Sequence, residues 1–232
     1  MPRRPRGTTG GYLFHVLNRA VGRATIFEKA SDYAAFEHVL LEARDWVPTM
    51  RLLDFCVMPN HWHLVVWPRQ DGDLSEYLRW LTVTHTSRWH VVHDTTGTGP
   101  LYQGRFKSFP IQEDDHFFTV CRYVQRNALR ANLVPRAEHW RWSSLWHRVQ
   151  SSTAVTLDPW PVPPRSDWIN YVNQPETAAE LDALRRSVGC GRPFGDTVWQ
   201  QHTAQQLGLE SSLRQPGRPR KLAAIVGNTQ PR

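Results

Sequence analysis

The chain has 232 residues, enough for one domain of ordinary size with an appendage or for two small domains. Its hydrophobic fraction of 40% supports a real core, and with no run of roughly eighteen apolar residues no membrane span is expected. Lys and Arg number 28 against 21 Asp and Glu, a formal charge of +7, which favours polyanionic partners and chiefly nucleic acid.

The first residues, Met1-Pro2-Arg3-Arg4-Pro5-Arg6, carry charge with no apolar segment behind them, so a secretory signal is not expected. Cys56, Cys121 and Cys190 are widely spaced and form no Cys-x-x-Cys pair, which supports neither a disulfide framework nor a zinc finger. A reducing, cytoplasmic setting is the expectation, in association with the nucleoid if DNA is the partner. The eleven tryptophans are numerous. Some belong to the core, but aromatic side chains on a basic surface are also what unpaired bases stack on.

In chain order, residues 1–10 read as a basic flexible arm. Tyr12 to Asn18 is a short apolar run, the first strand. Ser31 is placed to cap a helix running to about Trp46, with Tyr33, Phe36, Val39, Leu40 and Ala43 at helical spacing. Arg51 to Met58 reads as a second strand, Pro59-Asn60 as a turn, and His61 to Trp67 as a third strand, which makes a hairpin. Asp73 can cap a helix running to about His93, with Leu74, Tyr77, Leu78 and Leu81 inward. Residues 95–100 are a loop by composition, Phe106 to Gln112 a fourth strand, and Asp114-Asp115 open a helix reaching about Asn127. The order βαββαβ, followed by a further helix, predicts an α+β, ferredoxin-like split βαβ fold with an antiparallel sheet and helices packed on one face. That domain spans 11–150. A Pro-rich linker over 151–166, a small, mainly helical module over 167–210 and a basic disordered tail over 211–232 complete the expected organisation. Within the helical module, Ser187 to Leu209 is compatible with a helix-turn-helix-like reader of DNA.

The chemistry-bearing stretch is Met58-Pro59-Asn60-His61-Trp62-His63. Side chains on a strand alternate faces, so His61 and His63 share one face while Trp62, Leu64 and Val66 point to the other. Two imidazoles on one rigid face suit a divalent metal; the plainer reading is a surface pair beside a tight turn. On the helix from Asp114, Asn127 follows Tyr123 by four residues, so their side chains are neighbours. They read either as a packing residue and a helix end, or as a phenol nucleophile and an amide metal ligand. A tyrosine becomes useful against a phosphodiester when a metal polarises the phosphate oxygens. Histidine and amide ligands admit Mg²⁺ or Mn²⁺, with the histidines favouring Mn²⁺ or heavier ions.

At these residues the sequence resembles the HUH nucleases in its His61-Trp62-His63 form, and the single-tyrosine, IS200-like transposases in its later Tyr123. It is most similar to the REP-associated tyrosine transposases. Their characteristic stretches appear as Met58 to His63, as Leu101-Tyr102-Gln103-Gly104-Arg105-Phe106-Lys107, as residues 123–134 and as Trp140-Arg141-Trp142-Ser143-Ser144. They cover about residues 11–147. The resemblance implies a divalent metal, no nucleotide cofactor, and single-stranded DNA that folds into palindromic hairpins as substrate. It implies His61, His63 and Asn127 as metal ligands and Tyr123 as the nucleophile. That nucleophile would leave a 5′-phosphotyrosyl enzyme and a free 3′-hydroxyl. One departure is Ala128, where the family usually has proline; the helix end is then free to move.

Arg105, Lys107, Arg122, Arg126 and Arg130 are candidate phosphate contacts, each also readable as a solvated face, and Asn18 and Arg19 are candidate base readers. The tail Gly217-Arg218-Pro219-Arg220-Lys221 resembles the core of an AT-hook, which would give Arg218, Arg220 and Lys221 to DNA. Two other functions compete with transesterase: a hairpin-binding protein without catalysis, and a hydrolase that uses water. Monomer and homodimer both stay open.

Overall fold

A computed structural model describes residues 9–214. Four strands, β1 (Leu13–Arg19), β2 (Met50–Met58), β3 (His61–Pro68) and β4 (Lys107–Ile111), form one sheet in the order β2-β3-β1-β4. Every neighbouring pair is antiparallel. Helix α1 (Ala30–Trp46) joins β1 to β2, and α2 (Asp73–Val92) joins β3 to β4. This is the split βαβ arrangement that the element order predicts.

Local chemistry sets the element ends. Helix α1 begins at Ala30, and its cap is not the Ser31 hydroxyl. The Asp32 carboxylate instead accepts from the backbone N–H groups of Glu28 and Lys29. A carboxylate there also meets the positive end of the helix dipole. Asp73 works the same way for α2, accepting from the N–H groups of Arg69 and Gln70. Gly72, just before it, sits at φ 90°, which a residue without a Cβ adopts freely.

Helices cover both faces of the sheet rather than one. Phe14, Val16, Trp62, Leu64 and Val66 pack with α1 and α2 side chains such as Phe36, Leu40, Tyr77 and Leu78. On the other face Leu13, Cys56, Met58, Val65 and Phe109 pack with Phe117, Cys121 and Val124 of α3 (Asp115–Gln125). Both sets of alternating residues are apolar, so both faces must be buried. A register shift at Leu52/Asp54 in the β2–β3 pairing marks an irregularity that the strand pattern did not signal. Asp54 ends fully buried, with Oδ2 accepting from Gln125 Nε2 at 2.7 Å.

The C-terminal third closes the edges of this sheet. Along edge strand β2, Val57 N–H donates to Trp142 O at 2.9 Å, and the Asp158 carboxylate accepts from Leu52 N–H at 2.9 Å. Along edge strand β4, Phe194 N–H donates to Pro110 O, and Gln112 N–H donates to Phe194 O, both at 2.9 Å. Residues 151–166, expected as a linker, are thus strapped to β2, and Trp160 stacks edge-on against Trp168 with ring centres 4.8 Å apart. Covered edges offer no unpaired ladder to another chain. The extension contains α5 (Ser144–Val149), α6 (Trp168–Asn173), α7 (Ala178–Cys190) and α8 (Thr197–Gln206). No helix among the described residues is long and apolar enough to cross a membrane.

Candidate active site

Strand β3 presents His61 and His63 to the α3 face, with ring centres 5.0 Å apart. Trp62 between them is fully buried on the opposite face. The two histidines are not a surface pair: His61 is 9% and His63 is 2% exposed. Helix α3 lies over them, and the Tyr123 ring centre is 5.7 Å from that of His63. Residues sixty positions apart therefore meet on one side of the sheet.

Each histidine has its Nδ1 engaged. His61 Nδ1 lies 2.6 Å from Asn60 Oδ1, and His63 Nδ1 lies 2.8 Å from His15 Nε2. Neither Nε2 has a hydrogen-bond partner among the described residues, which is the arrangement a metal ligand needs. Burial holds both rings neutral. It lowers the His61 pKa to about 3, with Arg19 and Arg130 adding to the effect, and lowers that of His63 well below 6.5, with His15 adding to it. A neutral imidazole has the lone pair that a cation requires. Among the described residues no group of three or more His, Cys, Asp or Glu is placed to hold a metal.

Asn127 carries a carboxamide oxygen, a donor type that hard cations accept. Helix α3 ends at Gln125, and after Arg126 the chain continues as α4 (Asn127–Arg130), so the turn persists where Ala128 replaces the family's proline. Asn127 is 6% exposed, and its Nδ2 has no hydrogen-bond partner among the described residues. That nitrogen is a hydrogen-bond donor, and the oxygen of the same carboxamide is the atom a cation could take. The pair of imidazoles and this carboxamide fit a divalent cation in donor type.

The structure divides the basic candidates into two sets. Arg122 is 4% exposed, donates to Glu180 Oε1 at 2.6 Å, and lies over the Tyr171 ring. Arg126 and Arg130 both pair with the buried carboxylate of Glu176, at 3.3 and 3.0 Å. Arg130 also lies 4.2 Å from the centre of the Tyr123 ring. These three clamp α3 and α4 to the C-terminal extension. Replacing Arg122 by alanine is expected to lower stability by about 2 kcal/mol while changing DNA affinity less than twofold. Thermal melts and a binding titration of the same variant check both halves.

Arg19, Arg105 and Lys107 form the second set, with no ion-pair partner among the described residues. They line a depression of about 370 Å³ with Asn18, Gln103 and Gly104. Arg19 is paired in register with His61, so this depression begins beside the histidines. Asn18, Gly104 and Arg105 also border a larger groove of about 780 Å³ that runs along α2 past Arg79, Thr82 and Thr86. Asn18 itself is 4% exposed, and its Oδ1 accepts from Arg19 N–H. Arg218, Arg220 and Lys221 lie outside the described residues.

His15 lies in no motif, and Gln125, inside the 123–134 stretch, has no role assigned by it. His15 sits on β1, and its only sequence signal is a polar residue in an apolar strand. Gln125 is fully buried between Asp54 and the Trp168 indole N–H, which donates to it at 2.8 Å.

Comparison with known proteins gives the family and the fold. A family model described as Transposase IS200 like matches residues 9–127, half of the chain, and the chain belongs to that family. Among solved structures it is similar to a REP-associated tyrosine transposase bound to a REP hairpin. That match has TM-score 0.52 at 17% identity, over 77% of this chain and 99% of that one, and speaks for the fold. A protein of Deinococcus radiodurans R1 assigned as a transposase is also similar, at 12% identity and TM-score 0.37, over 65% of this chain and 98% of that one. No curated protein matches.

Proposed function

We propose that this chain is a metal-dependent transesterase that cleaves and rejoins single-stranded DNA at palindromic hairpins through a 5′-phosphotyrosine. One observation carries the reading: the Tyr123 ring and the two histidines with unengaged Nε2 atoms lie together on one face of the sheet, with ring centres 5.0 Å apart for the histidines and 5.7 Å for His63 and Tyr123. The fold relative bound to a REP hairpin supports the choice of hairpin DNA.

In this reading His61, His63 and Asn127 hold a divalent cation, Mn²⁺ or Mg²⁺. When bound, that ion polarises the phosphate oxygens and offsets their developing charge. Tyr123 loses its phenolic proton, and its oxygen forms a bond to phosphorus. The P–O3′ bond breaks, and the departing oxygen takes up a proton as a 3′-hydroxyl. One phosphodiester is exchanged for another, so a second 3′-hydroxyl can reverse the step without a nucleotide cofactor. Arg130 holds the face of the phenol, with Glu176 holding Arg130. Arg19, Arg105 and Lys107 guide the backbone of the unpaired strand, and the groove along α2 receives it.

Incubating the protein with labelled single-stranded DNA from palindromes flanking its gene, with Mn²⁺, tests this reading. A protein–DNA adduct that survives denaturation and disappears with EDTA is expected. Hairpin binding with no adduct would favour a catalytically silent binding protein on the same fold. For the backbone path, Lys107→Ala is expected to weaken hairpin binding similarly across sequences. It should also reduce the slope of log affinity against log salt by about one. Anisotropy titrations at several salt concentrations read both quantities, and an unchanged slope would remove Lys107 from the interface.

A further inference from the structure

His63 and His61 are oriented by chemically different partners, and the difference has a consequence for the metal. The acceptor facing His61 Nδ1 is the carboxamide oxygen of Asn60, at 2.6 Å. An amide oxygen only accepts, so neutral His61 carries its proton on Nδ1 and offers Nε2. The partner of His63 Nδ1 is another imidazole nitrogen, His15 Nε2, at 2.8 Å. A neutral imidazole can donate or accept, so this hydrogen bond can run either way.

Only one direction makes His63 a ligand. If His63 Nδ1–H donates to His15 Nε2, His63 Nε2 keeps its lone pair, and His15 carries its own proton on Nδ1. If His15 Nε2–H donates instead, His63 is protonated on Nε2 and cannot bind a cation there. The two arrangements hold the same number of protons. The rings are 1% and 2% exposed, so bulk water competes poorly for either partner. In the register of β1 and β3, Leu17 faces His63 and His15 faces Val65, which sets His15 diagonal to His63 on the same face. His15 is also packed against Phe109, with ring centres 4.7 Å apart, and its Nδ1 has no hydrogen-bond partner among the described residues.

Resting on the metal-site reading above, we propose that His15 is a positioning residue for that site: by accepting from His63 Nδ1–H it fixes the tautomer in which His63 Nε2 can take the cation. His15 does not touch the cation. Its contribution is an acceptor for that one hydrogen bond, which holds His63 in the ligating tautomer and leaves the Nδ1–H of His15 without a partner among the described residues.

The test is Mn²⁺ binding by the full-length protein without DNA, followed by the loss of the free-ion EPR signal. Wild type, His15→Gln, His15→Phe and His63→Ala are compared, and thermal melts confirm that each is folded. Gln places an oxygen acceptor near the position of His Nε2, whereas Phe keeps the ring and removes the acceptor. His15→Phe is expected to weaken Mn²⁺ binding by about ten- to a hundredfold, and His15→Gln by no more than about threefold. ¹⁵N NMR of the wild-type protein with diamagnetic Zn²⁺ should show His63 protonated on Nδ1 and His15 unprotonated on Nε2. Wild-type Mn²⁺ affinity in folded His15→Phe would overturn the proposal. Equal losses in the Phe and Gln variants would also overturn it, because acceptance would not then be the role. Undiminished binding by His63→Ala would be a different failure, that of the metal-site reading itself.

Discussion

Replacing Tyr123 by phenylalanine removes the covalent adduct and lowers strand cleavage by on the order of a thousandfold or more, while hairpin affinity stays within about twofold of wild type. The substitution deletes one oxygen and keeps the ring. The contacts of that ring, with Arg130 over its face and His63 at its edge, are made by carbon atoms and survive. The variant therefore separates nucleophile from scaffold. A hydrolase that activates water at the same cation would cleave DNA with or without the phenol. Denaturing gels of labelled hairpin with Mn²⁺ read adduct and cleavage together. Cleavage at the wild-type rate in this variant would leave Tyr123 as a packing residue and hand the reaction to water.

A second large effect is expected from acid in the metal-free protein. Burial lowers the pKa values of His15, His61 and His85 from 6.5 to about 3, and that of His63 well below 6.5. As the pH falls below about 6.5 the unfolded chain takes up these protons and the folded chain does not. The stability they contribute is thus complete above that pH and lost progressively below it. Asp54 has the opposite sign. Burial raises its pKa from 3.8 to about 7, so its contribution is complete below 3.8 and is lost as the pH rises toward 7. Between about pH 4 and 6.5 it offsets roughly one histidine. Three net protons give a slope on the order of 4 kcal/mol per pH unit. A typical domain, stable by about 5–15 kcal/mol, would lose most of its margin near pH 5. Urea midpoints at pH 7.5, 6.5 and 5.5 in EDTA measure this, and midpoints that do not move would show the rings to be hydrated. His85→Asn should shallow the slope by about one proton, because His85 is the one of the four remote from the proposed cation and bonded instead to the Tyr102 hydroxyl.

The local elements and the nature of the site were legible because both are written in short spacings. Alternation along residues 61–67 put the two histidines on one face and Trp62 on the other, and the structure agrees. A four-residue step put Asn127 one helical turn beyond Tyr123. The order of apolar runs and caps specified a split βαβ sheet, and the +7 charge pointed toward nucleic acid. What the spacings could not carry was which separate elements meet. The covering of both sheet faces depended on where α3 and the extension dock, a matter of total apolar area and not of period.

The same limit explains the basic residues. Arg122, Arg126 and Arg130 look like a phosphate-binding stripe until Glu176 and Glu180, some fifty residues later, are seen to neutralise them. Charge in a sequence is free; charge in a fold belongs to whatever lies within a few ångströms. His15 is the clearest case. No spacing links it to the histidine pair, and its partnership with His63 exists only because the β1–β3 register brings two imidazole nitrogens within 2.8 Å. The sequence by itself determined the strands, the helices and the chemistry of the candidate ligands and nucleophile. The tertiary structure alone decided which basic side chains stay without an ion-pair partner and which ring nitrogen of each histidine stays unengaged, because long-range register and docking set those distances.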